Sequence, residues 1–357
     1  MTAVTRPIST SHGLSPATRL LILAVVGPIL YYILLRTVLT LDSNPLVSAA
    51  APTTALQQVA NALSLGAMYA LIALGYTMVY GIIELINFAH GDVFMVGAFL
   101  SVIVLGGVFG ATGALHDPVL LAIYLLVAFL VVLPILGMLG MAIERVFYRP
   151  LRNAPRVAPL ITAIGVSFGL QNVALVIAGA GDRGSPQIIP VDAGFEIGGA
   201  FIPYLNVFIF SIAVVLMISL QTFVNRTRLG RAMRSTAQDP QAAQLMGVDL
   251  NQTIAITFFL GAALAGAAGI IWGLKFGFVR QDIGFNAGLK AFTSAVLGGI
   301  GNLTGAAVGG FFIAFIEIFA TTIGQNRWSE AIVFAVLIIV LVFRPAGIFG
   351  QQLGERA

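Results

Sequence analysis

The sequence predicts an all-α polytopic membrane protein of about nine to ten transmembrane segments, some of them broken or half-length, in an order that fits an inverted repeat. Three observations carry that prediction. The chain has 357 residues, of which 59% are hydrophobic and only 9% charged, whereas a soluble domain carries about 25% charged residues. Apolar runs of near-membrane length recur from end to end, and roughly 20 such residues cross a bilayer core as a helix. The runs are continuous rather than alternating, which favours helices over barrel strands as the way to satisfy the backbone in lipid.

In chain order, residues 1–19 are polar, contain Arg6 and Arg19, and read as a cytoplasmic tail. An apolar run follows at 20–35, and Ser48-Ala49-Ala50 offers a signal-peptidase site. The run is long for a signal-peptide core, so a signal anchor is preferred. Residues 20–54 then form an extra N-terminal span and loop at the head of one transmembrane domain, 20–344. Further spans are expected at 57–80, 93–110, 119–143, 157–178, 203–224, 252–274, 304–323 and 330–343. Residues 289–301 are apolar but too short to cross upright, and 345–357 read as a cytoplasmic tail.

Arginines orient these spans. Arg145, Arg149, Arg152 and Arg156 share one loop, and Arg226, Arg228, Arg231 and Arg234 share another. The positive-inside rule places both loops in the cytoplasm, with Arg19 and Arg344. An even number of crossings between Arg234 and Arg344 requires the region 276–301 to dip into the membrane as a broken helix. Ten segments result, five on each side of the 179–202 loop, in opposite orientations. In both halves the break falls between the second and third segments, at 81–92 and at 276–288. Matching breaks of this kind point to a substrate site near the membrane midplane.

Composition also excludes chemistry. There is no cysteine, so there is no disulfide, thiolate or cysteine metal site. The net charge of +4 is clustered as a topology signal, not as a nucleic-acid footprint. His12, His90 and His116 are scattered, and neither Lys275 nor Lys290 completes a phosphate-binding GxxxxGK motif. No enzyme site and no cofactor are expected in this chain, and any ATP chemistry belongs to a partner.

The polar cluster at 81–92 holds Glu84, Asn87, Phe88, His90 and Asp92. Charges at that depth are costly and must face a cavity, a partner or the interface. Either the break holds a substrate through free backbone groups, or it is a short turn in which Asn87 or Asp92 caps the next helix. Gly298, Gly299 and Gly301 lie in a second glycine-rich turn, which is either a hinge beside the substrate or a close-packing device. Gly269 with Gly273, and Gly305 with Gly309, fit the GxxxG packing pattern. Glu317, mid-span, should be buried in protein and protonated or paired, with a structural hydrogen bond favoured over a role in the pathway.

Several blocks carry a family resemblance. TMVYGIIELINFAHGD at 77–92, ERVFYRPLR at 144–152, PLITAIGVSFGLQN at 159–172, GLKAFTSAVLGGIGNLTGAAVGG at 288–310 and RPAGIFG at 344–350 occur in order. Together they resemble the branched-chain amino-acid permeases of the hydrophobic amino-acid uptake family, the LivH-type subunit more than its LivM-type partner. The segment 241–247, from Gln241 through Ala242 and Ala243 to Gly247, preceded by Asp239, resembles the Glu-Ala-Ala-x-x-x-Gly loop of ABC import permeases, with Gln241 in place of the Glu. The resemblance implies a short helix there that docks on an ATPase; read without it, the stretch is a polar connector. It further implies ATP-binding subunits that hydrolyse ATP, a second LivM-like permease subunit, a periplasmic binding protein, and alternating access for a small-molecule substrate in a bacterial inner membrane. The basic 144–152 loop would contact membrane lipid or help hold the ATPase. Branched-chain amino acids are the expected substrate. Urea or short amides in a related permease, and a proton-coupled secondary transporter using Glu84, His90, Asp92 or Glu317, are the alternatives.

Overall fold

The computed structural model describes residues 16–41, 45–152, 154–155 and 157–350. Arg156, most of the N-terminal tail and the last seven residues lie outside them. The helices are α1 (Pro16–Thr40), α2 (Pro45–Ile83), α3 (His90–Val102), α4 (Pro118–Ile143), α5 (Val157–Ala178), α6 (Tyr204–Arg226), α7 (Arg228–Gln238), α8 (Pro240–Leu245), α9 (Leu250–Phe276), α10 (Ile283–Gly298), α11 (Leu303–Thr322) and α12 (Ser329–Phe343). A π-helical turn, Ile103–Val108, extends α3, and a second, Glu144–Tyr148, extends α4. Eight helical stretches among the described residues are long and apolar enough to cross a membrane. The shorter apolar part of α1, Val25–Thr40, and the 16-residue α10 complete ten segments.

Local signals set the boundaries. Asp117 caps α4 through the Val119 N–H at 2.9 Å, with Pro118 at the first helical position. Asp249 caps α9 in the same way, through Asn251 and Gln252. Gly277, at φ 72°, closes α9 in the left-handed conformation that glycine adopts without strain. Strands β1 (Arg183–Gly184) and β4 (Phe278–Val279) pair antiparallel, so the outer ends of α5 and α9 meet. Strands β2 (Gly194–Ile197) and β3 (Ala200–Pro203) form a hairpin between α5 and α6.

The core is the crossing of α2 and α9. A Cβ added at Gly75 would lie 2.9 Å from the Gly261 carbonyl oxygen, so the two backbones approach as only glycine permits. Around this crossing the contacts of the halves repeat. Helix α4 packs on α9 as α11 packs on α2. Helix α3 packs on α9 as α10 packs on α2, and α5 rests on α3 as α12 rests on α10.

The half-length helix expected within 276–301 is α10, Ile283–Gly298, which starts ahead of the apolar run at 289 because polar Asn286 is helical too. Helix α1 begins at Pro16. At the other end, residues 345–350 lie against α10: the Ile348 and Phe349 N–H groups donate to the Leu297 and Gly298 carbonyls at 2.8 and 3.1 Å.

Candidate functional site

The break between α2 and α3 reaches deep into the protein. His90, at the start of α3, packs against Gly75 of α2, which is itself level with Gly261 of α9. Gly261 lies eleven residues into α9, about 16 Å along a helix roughly 40 Å long. The N-terminus of α3 therefore sits near mid-depth, although α2 continues below it to Ile83. Gly91 crosses α10 at backbone distance, where its added Cβ would lie 2.9 Å from the Gly288 Cα.

Asp92 stands in the first turn of α3, where the helix dipole favours a carboxylate. It is buried, accepting a hydrogen bond from the Ser167 hydroxyl at 2.5 Å and another from the Gln171 amide at 3.0 Å. Both donors lie on α5. In front of Ser167 is a cavity of about 180 Å³ between α5 and α10. Tyr76, Phe88, Phe168, Phe285, Leu289 and Phe292 form most of its wall. Phe168 and Phe285 at its rim are exposed, so the cavity opens on the surface of the chain.

Asn87 is buried, and its side-chain oxygen accepts from the Tyr148 hydroxyl at 2.9 Å. With Ile300 and Phe292 it lines a second cavity of about 10 Å³, roughly one water site. The Gly301 N–H donates to Thr77 at 3.1 Å, which brings the glycine turn against α2 just below the break.

At the end of the molecule that carries Arg226, Arg228, Arg231 and Arg234, α7 and α8 follow α6. Thr227 caps α7 through the Gly230 N–H at 3.0 Å, and α7 buries Gly230, Met233 and Thr236 along one face. Asp239 caps α8 through Gln241 and Ala242 at 2.9 and 3.0 Å. Ala243 is buried, Gly247 turns the chain at φ 85°, and Leu245 and Met246 project at 89% and 85% exposure. Two capped helices thus hold an apolar tip out from the molecule.

The family described as branched-chain amino acid transport system, permease component, matches residues 58–341. The chain is 42% identical over 304 residues to the high-affinity branched-chain amino acid transport system permease protein BraD of Pseudomonas aeruginosa, covering 84% of this chain and 97% of that one. It is 40% identical over 309 residues to the corresponding LivH protein of Escherichia coli K12, with the same coverage. A more distant similarity, 26% over 214 residues, links it to an autoinducer 2 import system permease protein, LsrD, of Escherichia coli, covering 56% of this chain and 63% of that one. No solved structure matches. The chain belongs to the branched-chain amino acid transport permease family. The permease is a multi-pass inner-membrane transport component rather than an enzyme, and its family implies ABC partner components.

Not every residue singled out in the sequence reaches the mid-depth site of the permease. Phe88 lines the main cavity, Asp92 stands behind it, and Asn87 lines the small one. Gly301 lines a separate cavity of about 90 Å³ that it shares with Thr77, Gly81 and residues of α7. Glu84 is exposed just past the end of α2, at φ 53°. His90 is buried edge-on against Tyr76 at 4.7 Å, and its Nε2 finds no hydrogen-bond partner among the described residues. Gly298 presses on Gly305, and Gly299 presses on Gly350. These two are packing positions, like Gly269 against α3 and Gly309 against Ser294. Glu317 belongs to a different cluster, paired with Lys290 at 2.7 Å and accepting from the Tyr69 hydroxyl at 2.9 Å.

The basic loops also divide. Arg152 pairs with buried Glu144 and donates to Asn251 at 2.7 Å, so it ties α4 to α9 and is no free lipid contact. Arg234 donates to the Val224 carbonyl, fixing α7 beneath α6. Arg145, Arg149, Arg226, Arg228 and Arg231 are exposed.

The sequence reading missed Ser167, Gln171, Tyr76 and Phe292. One signal was available for the first two: a polar pair four residues apart in mid-span puts two hydrogen-bonding groups on one helix face.

Proposed function

We propose that the permease carries branched-chain amino acids along the face shared by α5 and α10, as one of two membrane subunits of an ATP-driven importer. The observation behind this reading is the mid-depth cavity itself. Its aromatic and aliphatic wall suits a branched apolar side chain, and about 180 Å³ is small enough to favour one. Ser167, backed by the Asp92 carboxylate, offers the ammonium group its only nearby negative charge among the cavity's lining and direct partners. The exposed rim at Phe168 and Phe285 is the side that a second, LivM-like subunit would close. ATP-binding subunits would seat on the Leu245–Met246 tip, and a periplasmic binding protein would deliver substrate to the outer loops.

A urea or short amide could bond to the Ser167 hydroxyl but has no branched apolar group to fill the aromatic and aliphatic wall. A proton relay is disfavoured by the arrangement of titratable groups. Glu84 is exposed, while Asp92 and Glu317 are bonded to separate partners on separate helices. The test is uptake of labelled leucine, isoleucine and valine by proteoliposomes holding the whole importer, with and without internal ATP. Phe292→Ala should impair uptake of leucine more than that of alanine. Uptake that needs a proton gradient but no ATP would sink the reading.

A further inference from the structure

Helices α4 and α5 both lean on α3 without packing substantially on each other, and the gap between them holds a recess lined almost wholly by apolar side chains. Its volume is about 480 Å³. Phe99 of α3, Leu139 of α4 and Val173, Ala174 and Ile177 of α5 represent its lining, which is aliphatic and aromatic throughout except at one point. That point is Arg183, just beyond the outer end of α5. Its backbone is fixed by the β1–β4 pairing, and its Nε–H donates to the Ala178 carbonyl at 2.7 Å.

Two arguments identify the occupant. The first is the wall. Water has no polar partners along it, and a void of this size left empty forfeits the packing that interiors normally reach. Ile177 is 75% exposed, so the recess opens sideways toward the surface rather than into the core. The second is charge. Among the described residues no carboxylate pairs with Arg183. The neighbouring Asp182 is 3.6 Å from Arg280, which also holds Asp282. A guanidinium left over at the headgroup level, above a strip of hydrocarbon-facing side chains, matches a molecule with an anionic phosphate at one end and a hydrocarbon tail at the other. A transmembrane helix of a partner would fill the recess but set apolar side chains against Arg183.

We propose that the α4–α5 recess is a binding site for one anionic phospholipid of the outer leaflet, with an acyl chain between the helices and the phosphate on Arg183. The site is separate from the α5–α10 cavity and does not depend on which substrate the importer carries.

The experiment uses the intact importer in nanodiscs. Native mass spectrometry would count phosphatidylglycerol retained against phosphatidylcholine of the same acyl chains. The unaltered complex should retain one more phosphatidylglycerol than Arg183→Ala, and Arg183→Lys should restore it. A photoreactive benzoylphenylalanine at position 177 should form a lipid adduct. Equal retention of both lipids by the unaltered and Arg183→Ala complexes overturns the proposal. So does an adduct from position 177 to another protein subunit, which would make the recess a subunit seam.

Discussion

Glu317 distinguishes a structural charge from a transport charge, and the structure fixes what its removal should do. Its carboxylate is 2.7 Å from Lys290 and 2.9 Å from the Tyr69 hydroxyl, so it joins α2, α10 and α11 inside the membrane. The two side chains of the pair are 12% and 15% exposed. At that separation the gross attraction is about 6 kcal/mol for an effective dielectric near 20, most of it offset by desolvation. Removing one partner is different, because it strands the other charge at a cost of about 3–5 kcal/mol. Glu330 cannot substitute, since it lies 3.7 Å from Lys290 and is 60% exposed, where an ion pair contributes about 0–1 kcal/mol. Glu317→Gln keeps the shape and a partner for Tyr69 but leaves Lys290 uncompensated. The importer carrying it should lose several degrees in the temperature at which it stops running as one species on size exclusion, and its uptake should fall with that stability. The double variant Lys290→Met with Glu317→Leu removes both charges and should regain most of both. If the double variant recovers stability but remains dead in uptake, Glu317 acts in transport and the structural assignment is wrong.

Three further outcomes are expected. Gly247→Val places a β-branched residue at φ 85°, a strain of at least about 1–2 kcal/mol, and should abolish ATP-driven uptake while membrane insertion on a blot is unchanged; normal uptake removes the α8 region from coupling. Asn87→Leu leaves the buried Tyr148 hydroxyl unpaired, a cost of about 1–3 kcal/mol, and should lose transport while the ATPase still co-purifies; retained uptake shows the break to be mere packing. Ser167→Ala leaves Asp92 held by Gln171 but removes the hydroxyl at the cavity, so the KM for leucine in proteoliposomes should rise roughly tenfold, about 1.4 kcal/mol; an unchanged KM rejects Ser167 as a substrate contact.

The span pattern and the two breaks were legible because they depend on local properties: apolar length, arginine placement and glycine punctuation. The site was legible only in part, because a cavity is made by residues far apart in sequence. Phe88 and Asp92 stood out as members of one polar cluster, yet the groups that define their surroundings come from α2, α5 and α10. Tyr76 carries no local oddity, and Ser167 is marked only by its spacing from Gln171, since hydroxyls are common in membrane helices. Lys290 was overlooked for a similar reason: its partner is 27 positions away, and only folding shows that the two charges cancel. Glycine was the most ambiguous residue. Gly91, Gly298 and Gly301 look alike in sequence, but one permits a helix crossing, one packs on Gly305 and one donates its N–H to Thr77.

The placement of α7 bears on how a cytoplasmic event would reach the mid-depth cavity. Met233, Arg234 and Ala237 of α7 border the same cavity of about 90 Å³ as Thr77, Gly81 and Gly301. Thr77 binds the Gly301 N–H and is the next residue after Tyr76, which lines the substrate-sized cavity. A rigid shift of α7 would therefore press on the α2–α3 break and on the Gly301 turn at once, from below. What resists such a shift is the bond from Arg234 of α7 to the Val224 carbonyl of α6. What permits it is the contact of glycine on glycine at Gly75–Gly261 and Gly91–Gly288. The backbones approach closely there, with the His90 ring against Gly75 and the Tyr76 hydroxyl beside Gly288, so a shift at either crossing carries those side chains with it. The two crossings lie beside the cavity rather than at the lipid surface, so small sliding there changes the shape of the wall formed by Tyr76, Phe88 and Phe292.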